Sequence, residues 1–142
     1  KNKPITAMPY FWDNVDLDGY SVYTCTYNYN SDNAILFMTS NLVTGFIQRT
    51  DPLRKYAFGS MQVLGKSESE GPFDIVGAWL FRGQEAQVII DANPDAEYYT
   101  WTKVTASDIE SNKDNIKEKV GELWCAQETI GGVPLLDGKI FK

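Results

Sequence analysis

The order of the predicted secondary-structure elements is the feature that most restricts the fold of this chain. Strand patterns rich in β-branched and aromatic residues come first, and the clearest helical pattern, Asp114–Gln127, comes near the end. Strands and helices that alternate one by one are typical of a parallel sheet, and this order does not alternate in that way. The sequence therefore predicts an α+β domain with a central antiparallel sheet of about five strands, flanked by helices.

Six segments are candidates for strands. Tyr20–Tyr29 alternates between apolar and polar residues, which predicts a strand with one buried face. A turn cluster follows it, so we expect a hairpin between this strand and the next candidate. A loop of eight polar residues separates the third and fourth candidates, which predicts a second antiparallel pair. The candidates after the first are Ile35–Thr39, Phe58–Leu64, Ile75–Phe81, Ala86–Ile90 and Tyr98–Val104.

Helical signals are fewer. Asn41 is a candidate cap for a short helix that ends near Ile47, and Asp51-Pro52 has the cap and first-position residues of a second helix start. Within Asp114–Gln127, four apolar residues recur on one stripe and predict the buried side of an amphipathic helix: Ile116, Val120, Leu123 and Trp124. From Gly131 onward the chain is interrupted by Gly and Pro, and we expect an irregular tail with an apolar end.

Length and composition restrict the class of protein. The 142 residues are enough for one domain, 1–142, with a real core, and the aromatic content argues against disorder. No apolar run is long enough to cross a bilayer, and no signal-peptide segment follows Lys1–Pro4, so we expect a cytoplasmic protein. The net charge is −6, with all of the acidic excess after Gly65, which argues against general binding of phosphate backbones.

The sequence excludes several kinds of catalytic and metal site and gives only weak signals for others. The chain has no histidine, which removes Ser-His and Cys-His dyads and imidazole metal sites. Asn14–Gly19 resembles the front of a calcium loop, but its twelfth position is Cys25 rather than Glu, so we expect an Asp-Gly turn. Cys25 and Cys125 are predicted to be buried free thiols. We therefore expect no catalytic residues, no cofactor and no metal site. An acid three residues after Ser67 suits acid-directed kinases, but an unmodified solvated loop containing Ser67 and Ser69 explains that segment equally well.

One group of polar residues lies beside aromatic residues in the sequence. Arginine next to exposed aromatic rings is typical of an interaction hot spot. For Arg82 and Glu85, internal ion pairs around an aromatic core remain an equal alternative. Arg49, Arg54 and Lys55 lie so close together in the sequence that we expect them on the surface. The candidate partner-binding patch consists of Arg49, Arg54, Lys55, Trp79, Arg82, Gln84 and Glu85.

The chain also resembles one known family. The similarity lies in six segments that occur in order along the chain: Tyr10–Trp12, Asp18–Ser21, Asn41–Phe58, Gly77–Glu85, Tyr99–Trp101 and Gly138–Lys142. Together they resemble the C-terminal domain of elongation factor 1-gamma, a subunit of the eukaryotic elongation factor 1 complex. The resemblance implies an antiparallel sheet curved so that one face is concave. It supplies no catalytic residues to transfer.

The resemblance also implies a biological setting. In that family, the whole subunit has a transferase-like N-terminal domain and a Lys-rich linker that this chain does not carry, and we expect the chain to begin inside the C-terminal domain. The complex recharges the GTPase that delivers aminoacyl-tRNA to the ribosome. Two hypotheses follow: a non-enzymatic protein-interaction domain in the complex, with other subunits as partners through the full-length subunit, or an RNA-binding module that uses the same arginines with aromatic stacking.

Overall fold

The computed structural model of the chain describes residues 8–141, so the expectation for Lys1–Pro4 lies outside the described residues. The helices are α1 Met8–Asn14, α2 Leu36–Arg49, α3 Gln87–Ala92, α4 Ala106–Ser111 and α5 Ile116–Cys125. The strands are β1 Tyr20–Tyr27, β2 Ala57–Leu64, β3 Asp74–Arg82, β4 Tyr99–Val104, β5 Thr129–Ile130 and β6 Val133–Phe141. Short 3₁₀ helices occupy Asn30–Asp32, Asp51–Leu53, Pro94–Tyr98 and Lys113–Asn115. Within the described range, we find no helix that is both long and apolar enough to span a membrane.

The strands form one curled antiparallel sheet in the order β4-β1-β3-β2-β6-β5. Each pair of neighbours is antiparallel. This confirms the predicted α+β class, with six strands rather than about five. The predicted pairing of the third and fourth strand candidates is also confirmed, because β2 pairs with β3 along its whole length.

The prediction of a strand at Ile35–Thr39 was wrong, and so was the hairpin with β1. The segment enters α2, and the partners of β1 are β3 and β4. Thr39, Val43 and Phe46 are the buried residues of α2, and their spacing of four and three is helical. The helical spacing of these buried residues decides the structure of the segment, although the composition of Ile35–Thr39 is typical of a strand. Asn41 therefore lies inside α2 and caps nothing, and α2 begins after Ile35 without a side-chain cap.

The prediction of a strand at Ala86–Ile90 was wrong for a similar reason. α3 buries Ile89 completely, while its flanking residues are partly exposed, which is the pattern of one helical turn rather than of a strand. Asp51-Pro52 does begin a helical turn, although it is a 3₁₀ helix of three residues preceded by Thr50. The helix predicted from Asp114 begins at Ile116, because Asp114 has a left-handed backbone (φ 54°).

The expected irregular tail is instead strand β6. Gly138 interrupts the sequence pattern, but it lies opposite Gln62 in the β2–β6 pair. A Cβ atom at position 138 would lie only 1.6 Å from Oε1 of Gln62. The glycine therefore permits close approach within the sheet and does not mark a turn.

The sheet separates two hydrophobic clusters. We call one side the aromatic face; it carries Tyr23, Trp79, Phe81, Tyr99 and Trp101, and α2 and α3 cover it. We call the other side the α5 face; it carries Val22, Leu64, Ala78 and Val104, and α1, α4 and α5 cover it. The alternation of β-strand side chains thus places successive residues in different cores.

Curvature of the sheet lets one helix reach distant strands. α2 packs against β2 and β6, while its Phe46 also contacts Tyr99 of β4, with ring centroids 5.0 Å apart. β4 and β6 are four strands apart in the sheet, which is about 19 Å in a flat sheet. A helix is only about 10 Å wide, so contact with both strands indicates that α2 lies against the concave side.

Candidate protein-interaction surface

The predicted patch residue Arg82 lies at one end of the sheet, where three segments of the chain meet. Arg82 is the last residue of β3, and its Cα partner across the β1 pair is Tyr20. The backbone N–H of Arg82 donates to the carbonyl of Tyr56 at 2.8 Å, just before β2 begins. The guanidinium carbon of Arg82 lies 5.8 Å from the centre of the Tyr56 ring. Tyr20, Arg82 and Tyr56 therefore form a row across three strands, which we call the Arg82 row.

The Arg82 row is open to solvent. Tyr20 is 38% exposed and Tyr56 is 46% exposed, and Arg82 and the adjoining Lys55 are exposed as well. Among the described residues, ion pairs join Arg49 to Asp95 and Arg54 to Asp51, and neither involves Arg82 or Lys55. The internal ion-pair alternative for Arg82 with Glu85 or Asp51 is therefore not what the structure shows.

Arg49 and Arg54 have nearby acidic partners. Arg49 reaches from the last turn of α2 to Asp95, and Arg54 pairs with Asp51 three residues earlier. Both pairs are exposed, so each contributes little to stability, on the order of 0–1 kcal/mol. Their main effect is on charge, because each carboxylate offsets a predicted basic site. The net basic charge of the patch therefore rests on Lys55 and Arg82.

Trp79 does not belong to a surface patch, which corrects that part of the prediction. Its side chain is completely buried, stacked on Phe81 at 5.8 Å between ring centroids. Its indole N–H donates to the sulfur of Met61 at 3.3 Å. Trp79 lies only three residues before Arg82, but odd-numbered and even-numbered residues of β3 point to opposite faces of the sheet, so the two side chains lie on different faces.

The side chain of Gln84 has a structural role, because its amide group is engaged in hydrogen bonds within the protein. Its amide nitrogen donates to the carbonyls of Leu17, Asp18 and Tyr20 at 2.9, 2.9 and 3.2 Å. Its amide oxygen accepts from Nζ of Lys103 at 3.0 Å. Gln84 thus fixes the loop that leads into β1 and holds Tyr20 in place.

Glu85 and Tyr23 complete this end of the sheet. Glu85 is exposed, while the Tyr23 hydroxyl donates to the carbonyl of Gln84 at 2.9 Å. Burial raises the pKa of Tyr23, and the nearby Glu85 carboxylate raises it further. Tyr23 therefore stays neutral and acts as a fixed donor.

Sequence reasoning missed Tyr20 and Tyr56 as members of the surface. Both tyrosines lie in segments that resemble the family, Asp18–Ser21 and Asn41–Phe58, but neither was predicted to contact a partner. The useful signal is the register, because both tyrosines fall opposite Arg82 once β1, β2 and β3 are aligned. That register is a tertiary property.

The loop that resembles a calcium site forms an ordinary Asp turn. Oδ1 of Asp16 accepts from the backbone N–H of Asp18 at 3.1 Å and of Gly19 at 3.3 Å. Over residues 8–141, no group of three or more acidic or thiol side chains could hold a metal ion. As predicted, Cys25 and Cys125 are both buried and are not joined in a disulfide, and burial raises the pKa of the Cys25 thiol well above its usual range.

Comparison with known proteins places the chain in a family. The family model described as elongation factor 1 gamma, conserved domain, matches residues 1–85, which contain the whole Arg82 row. Elongation factor 1-gamma of Prunus avium is 47% identical over 137 residues, covering 96% of this chain and 31% of that protein. The Trypanosoma cruzi protein of the same name is 38% identical over 136 residues, with 96% and 31% covered.

A probable elongation factor 1-gamma of Caenorhabditis elegans is 36% identical over 138 residues, covering 96% of this chain and 33% of that protein. The chain thus spans about a third of the length of these curated relatives. These matches cover 96% of the chain and so extend well beyond residue 85, where the family model ends. On this similarity, the chain belongs to the elongation factor 1-gamma family.

Proposed function

We propose that this chain is a non-catalytic protein-interaction domain that acts in translation elongation, within the guanine-nucleotide exchange complex of elongation factor 1. Membership of the elongation factor 1-gamma family supports the setting. The observation that carries the interaction role is the exposed Arg82 row, with Lys55 beside it. The absence of histidine from the sequence speaks against the commonest acid–base and nucleophilic chemistry.

The chemistry of the Arg82 row suits a protein partner. Tyrosine offers a large contact area with few rotatable bonds, and arginine combines a planar fork of donors with a face that stacks on rings. Residues of these types dominate binding energy at protein interfaces. Because Lys55 and Arg82 have no ion-pair partner among the described residues, the row would complement an acidic patch on the partner.

The row is also pre-organised. Gln84 anchors the strand segment of Tyr20, and the backbone bond from Arg82 to Tyr56 ties β3 to the start of β2. A surface that is already ordered loses little conformational entropy on binding. These bonds support a docking role for this end of the sheet.

The test is a pull-down from a translation-active cytosolic extract, read by mass spectrometry. The chain is compared with Lys55→Glu/Arg82→Glu and with a matched control, Lys66→Glu/Lys139→Glu, which reverses two exposed lysines elsewhere. We expect elongation-factor subunits to bind the native chain and the control and to be lost from the Lys55→Glu/Arg82→Glu variant.

An RNase-treated arm separates protein from RNA binding. Recovery that survives RNase supports the proposal. Material that disappears with RNase supports the RNA-binding alternative, in which tyrosines stack on bases and affinity falls steeply with salt. Equal recovery by both variants would show that the Arg82 row does not carry the interaction.

A further inference from the structure

A second exposed surface lies at the opposite end of the molecule. Ile35, Met38 and Leu42 are 57%, 60% and 44% exposed, which is unusual for large apolar side chains on a helix packed against a sheet. Met38 and Leu42 lie four residues apart on one stripe of α2, beside the buried stripe of Thr39, Val43 and Phe46 rather than within it, and Ile35 immediately precedes the helix. This stripe is not needed to cover the sheet.

The stripe borders a groove of about 310 Å³, which we call the α2 groove. Its lining includes Tyr27, Asp32, Asn33, Ile35, Met38 and Leu42. Tyr29 extends the apolar surface, because its ring contacts those of Tyr27 at 5.7 Å and Tyr98 at 6.4 Å. The groove has room for one large apolar side chain.

The α2 groove is built on a fixed base. The amide nitrogen of Asn33 donates to the carbonyl of Phe73 and to Oδ1 of Asn30, both at 3.1 Å. The Asn30 side chain in turn accepts from the backbone N–H of Ile75 at 2.9 Å. These bonds attach the loop to β3, so the groove exists before any partner arrives.

The charge around the groove has one sign. Asp32 lies in the lining, and the exposed Glu97 precedes Tyr98. The sequence contains no Lys or Arg in residues 4–48 or 83–102, which include both segments that form this surface. Arg49, the first basic residue beyond, is already paired with Asp95. Burial raises the pKa of Tyr27, and the Asp32 carboxylate raises it further, as expected in a negative local field.

We propose that the α2 groove docks a segment of a partner protein in which a large apolar side chain is flanked by lysine or arginine. The apolar side chain would enter between Met38, Leu42 and Tyr27, and the basic residues would face Asp32 and Glu97. A second copy of this chain fits less well, because the chain carries a net charge of −6 and like charges would meet. The groove would thus recruit basic segments, whereas the Arg82 row favours acidic ones.

The two surfaces are independent. Tyr20 and Tyr27 begin and end β1, which places the Arg82 row and the α2 groove about 23 Å apart along the strand. Loss of one site therefore leaves the other in place. This separation lets the two proposals fail separately.

The experiment measures fluorescence anisotropy with a labelled twelve-residue peptide of Lys, Leu and Trp as the probe. A second peptide replaces every Lys by Glu, and a third keeps Lys but replaces Leu and Trp by Ser. We expect saturable binding of the first peptide alone. Met38→Ser/Leu42→Ser should weaken it by at least about tenfold, as removal of central apolar contacts does at interfaces.

Matched variants keep the result specific. Val133→Ser/Ile140→Ser removes two comparably exposed apolar side chains elsewhere and should leave the Kd unchanged. Asp32→Asn/Glu97→Gln should weaken binding and flatten its salt dependence. Lys55→Glu/Arg82→Glu should still bind the peptide, because the Arg82 row is not involved.

Three outcomes would overturn the proposal. Equal binding of the Glu peptide would contradict the charge preference, and equal loss in the Val133→Ser/Ile140→Ser control would show that binding is nonspecific. Sedimentation velocity gives the third: a dimer of the native chain that Met38→Ser/Leu42→Ser abolishes would identify a second copy as the occupant.

Discussion

The two faces of the sheet hold their helices in different ways. On the aromatic face, contact is between rings: Trp79 packs on Phe81 and lies within 6.0 Å of Phe46, between ring centroids. On the α5 face, the rings of Phe58 and Trp124 also meet, 5.5 Å apart between centroids, but here side chains of the strand form hydrogen bonds to the helix as well. The Ser60 hydroxyl and the Gln62 amide nitrogen both donate to the carbonyl of Leu123, at 3.1 and 2.9 Å.

The faces also differ in how completely their polar groups are satisfied. Asn93, below the aromatic face, donates to the Phe46 carbonyl and the Thr50 hydroxyl, both at 3.0 Å, and accepts from the N–H of Asp95. Gln62, on the α5 face, uses its nitrogen but leaves its buried oxygen without a hydrogen-bond partner. Among the described residues, the aromatic face thus leaves one buried polar group unpaired, the hydroxyl of Ser21 opposite Phe81, while the α5 face leaves two, the Gln62 oxygen and the indole N–H of Trp12.

The α5 face is also the less completely packed of the two. A cavity of about 400 Å³ lies over the α5 face, floored in part by Thr24, Thr26 and Thr102. Threonine hydroxyls replace apolar groups there, so less area is buried against the helices. We infer that the aromatic face supplies most of the stability, while the α5 face tolerates change. Substitutions on each face test this ranking.

The largest effect is expected for Trp79→Ala. Removing a fully buried tryptophan deletes its contacts and leaves a cavity, which costs about 3–5 kcal/mol of unfolding free energy. Urea denaturation followed by far-UV circular dichroism measures this loss. Trp124→Ala, on the α5 face, is the comparison. A greater loss for Trp124→Ala would reverse the ranking of the two faces.

Asn93→Ala should follow, at about 1–3 kcal/mol. The substitution leaves the buried acceptor of Phe46 and the Thr50 hydroxyl with fewer partners, and unsatisfied buried groups are costly. The same denaturation experiment applies, with exposed Asn41→Ala as the control. A loss no larger than that of the control would show that water or relaxation replaces the Asn93 bonds.

Gln62→Met should have a smaller effect, within about 1 kcal/mol. It removes one hydrogen bond to Leu123, but it also removes the unpaired buried oxygen, and the Ser60 hydroxyl still donates to that carbonyl. Thermal unfolding of Gln62→Met and Asn93→Ala under identical conditions tests the contrast. If Gln62→Met is the more damaging change, the polar bonds of the α5 face are as important as those around Asn93.

The smallest effect concerns acid stability at the start of α4. Hydrogen bonds from the backbone N–H and side chain of Thr105 lower the pKa of Asp108 below its usual range. Because the folded pKa is depressed, this contribution is present above the unfolded pKa and is lost as pH falls through the folded value. In a series of melting temperatures, Asp108→Asn should flatten the decline below about pH 4. An unchanged decline would assign the acid sensitivity to other carboxylates.

Much of the fold could be predicted from the sequence. A period of two residues located β1, strand-like composition located β2, β3 and β4, and a 3.6-residue stripe located α5, because these patterns are read within a short window. The order of elements indicated the α+β class, and the motifs indicated the family. The distance in sequence between Cys25 and Cys125, with no other cysteine, was enough to predict that they form no disulfide.

Only the tertiary structure decided which predicted site residues are available. Trp79 and Arg82 are close in sequence, yet one is buried and the other exposed, because the helices cover one face of β3 more completely at that end. Arg49 meets Asp95 across 46 positions, and Gln84 meets Leu17 across 67. A local window contains no information about such partners. Periodicity therefore determined the elements, while long-range packing decided their faces, their neighbours and the surfaces left free to bind.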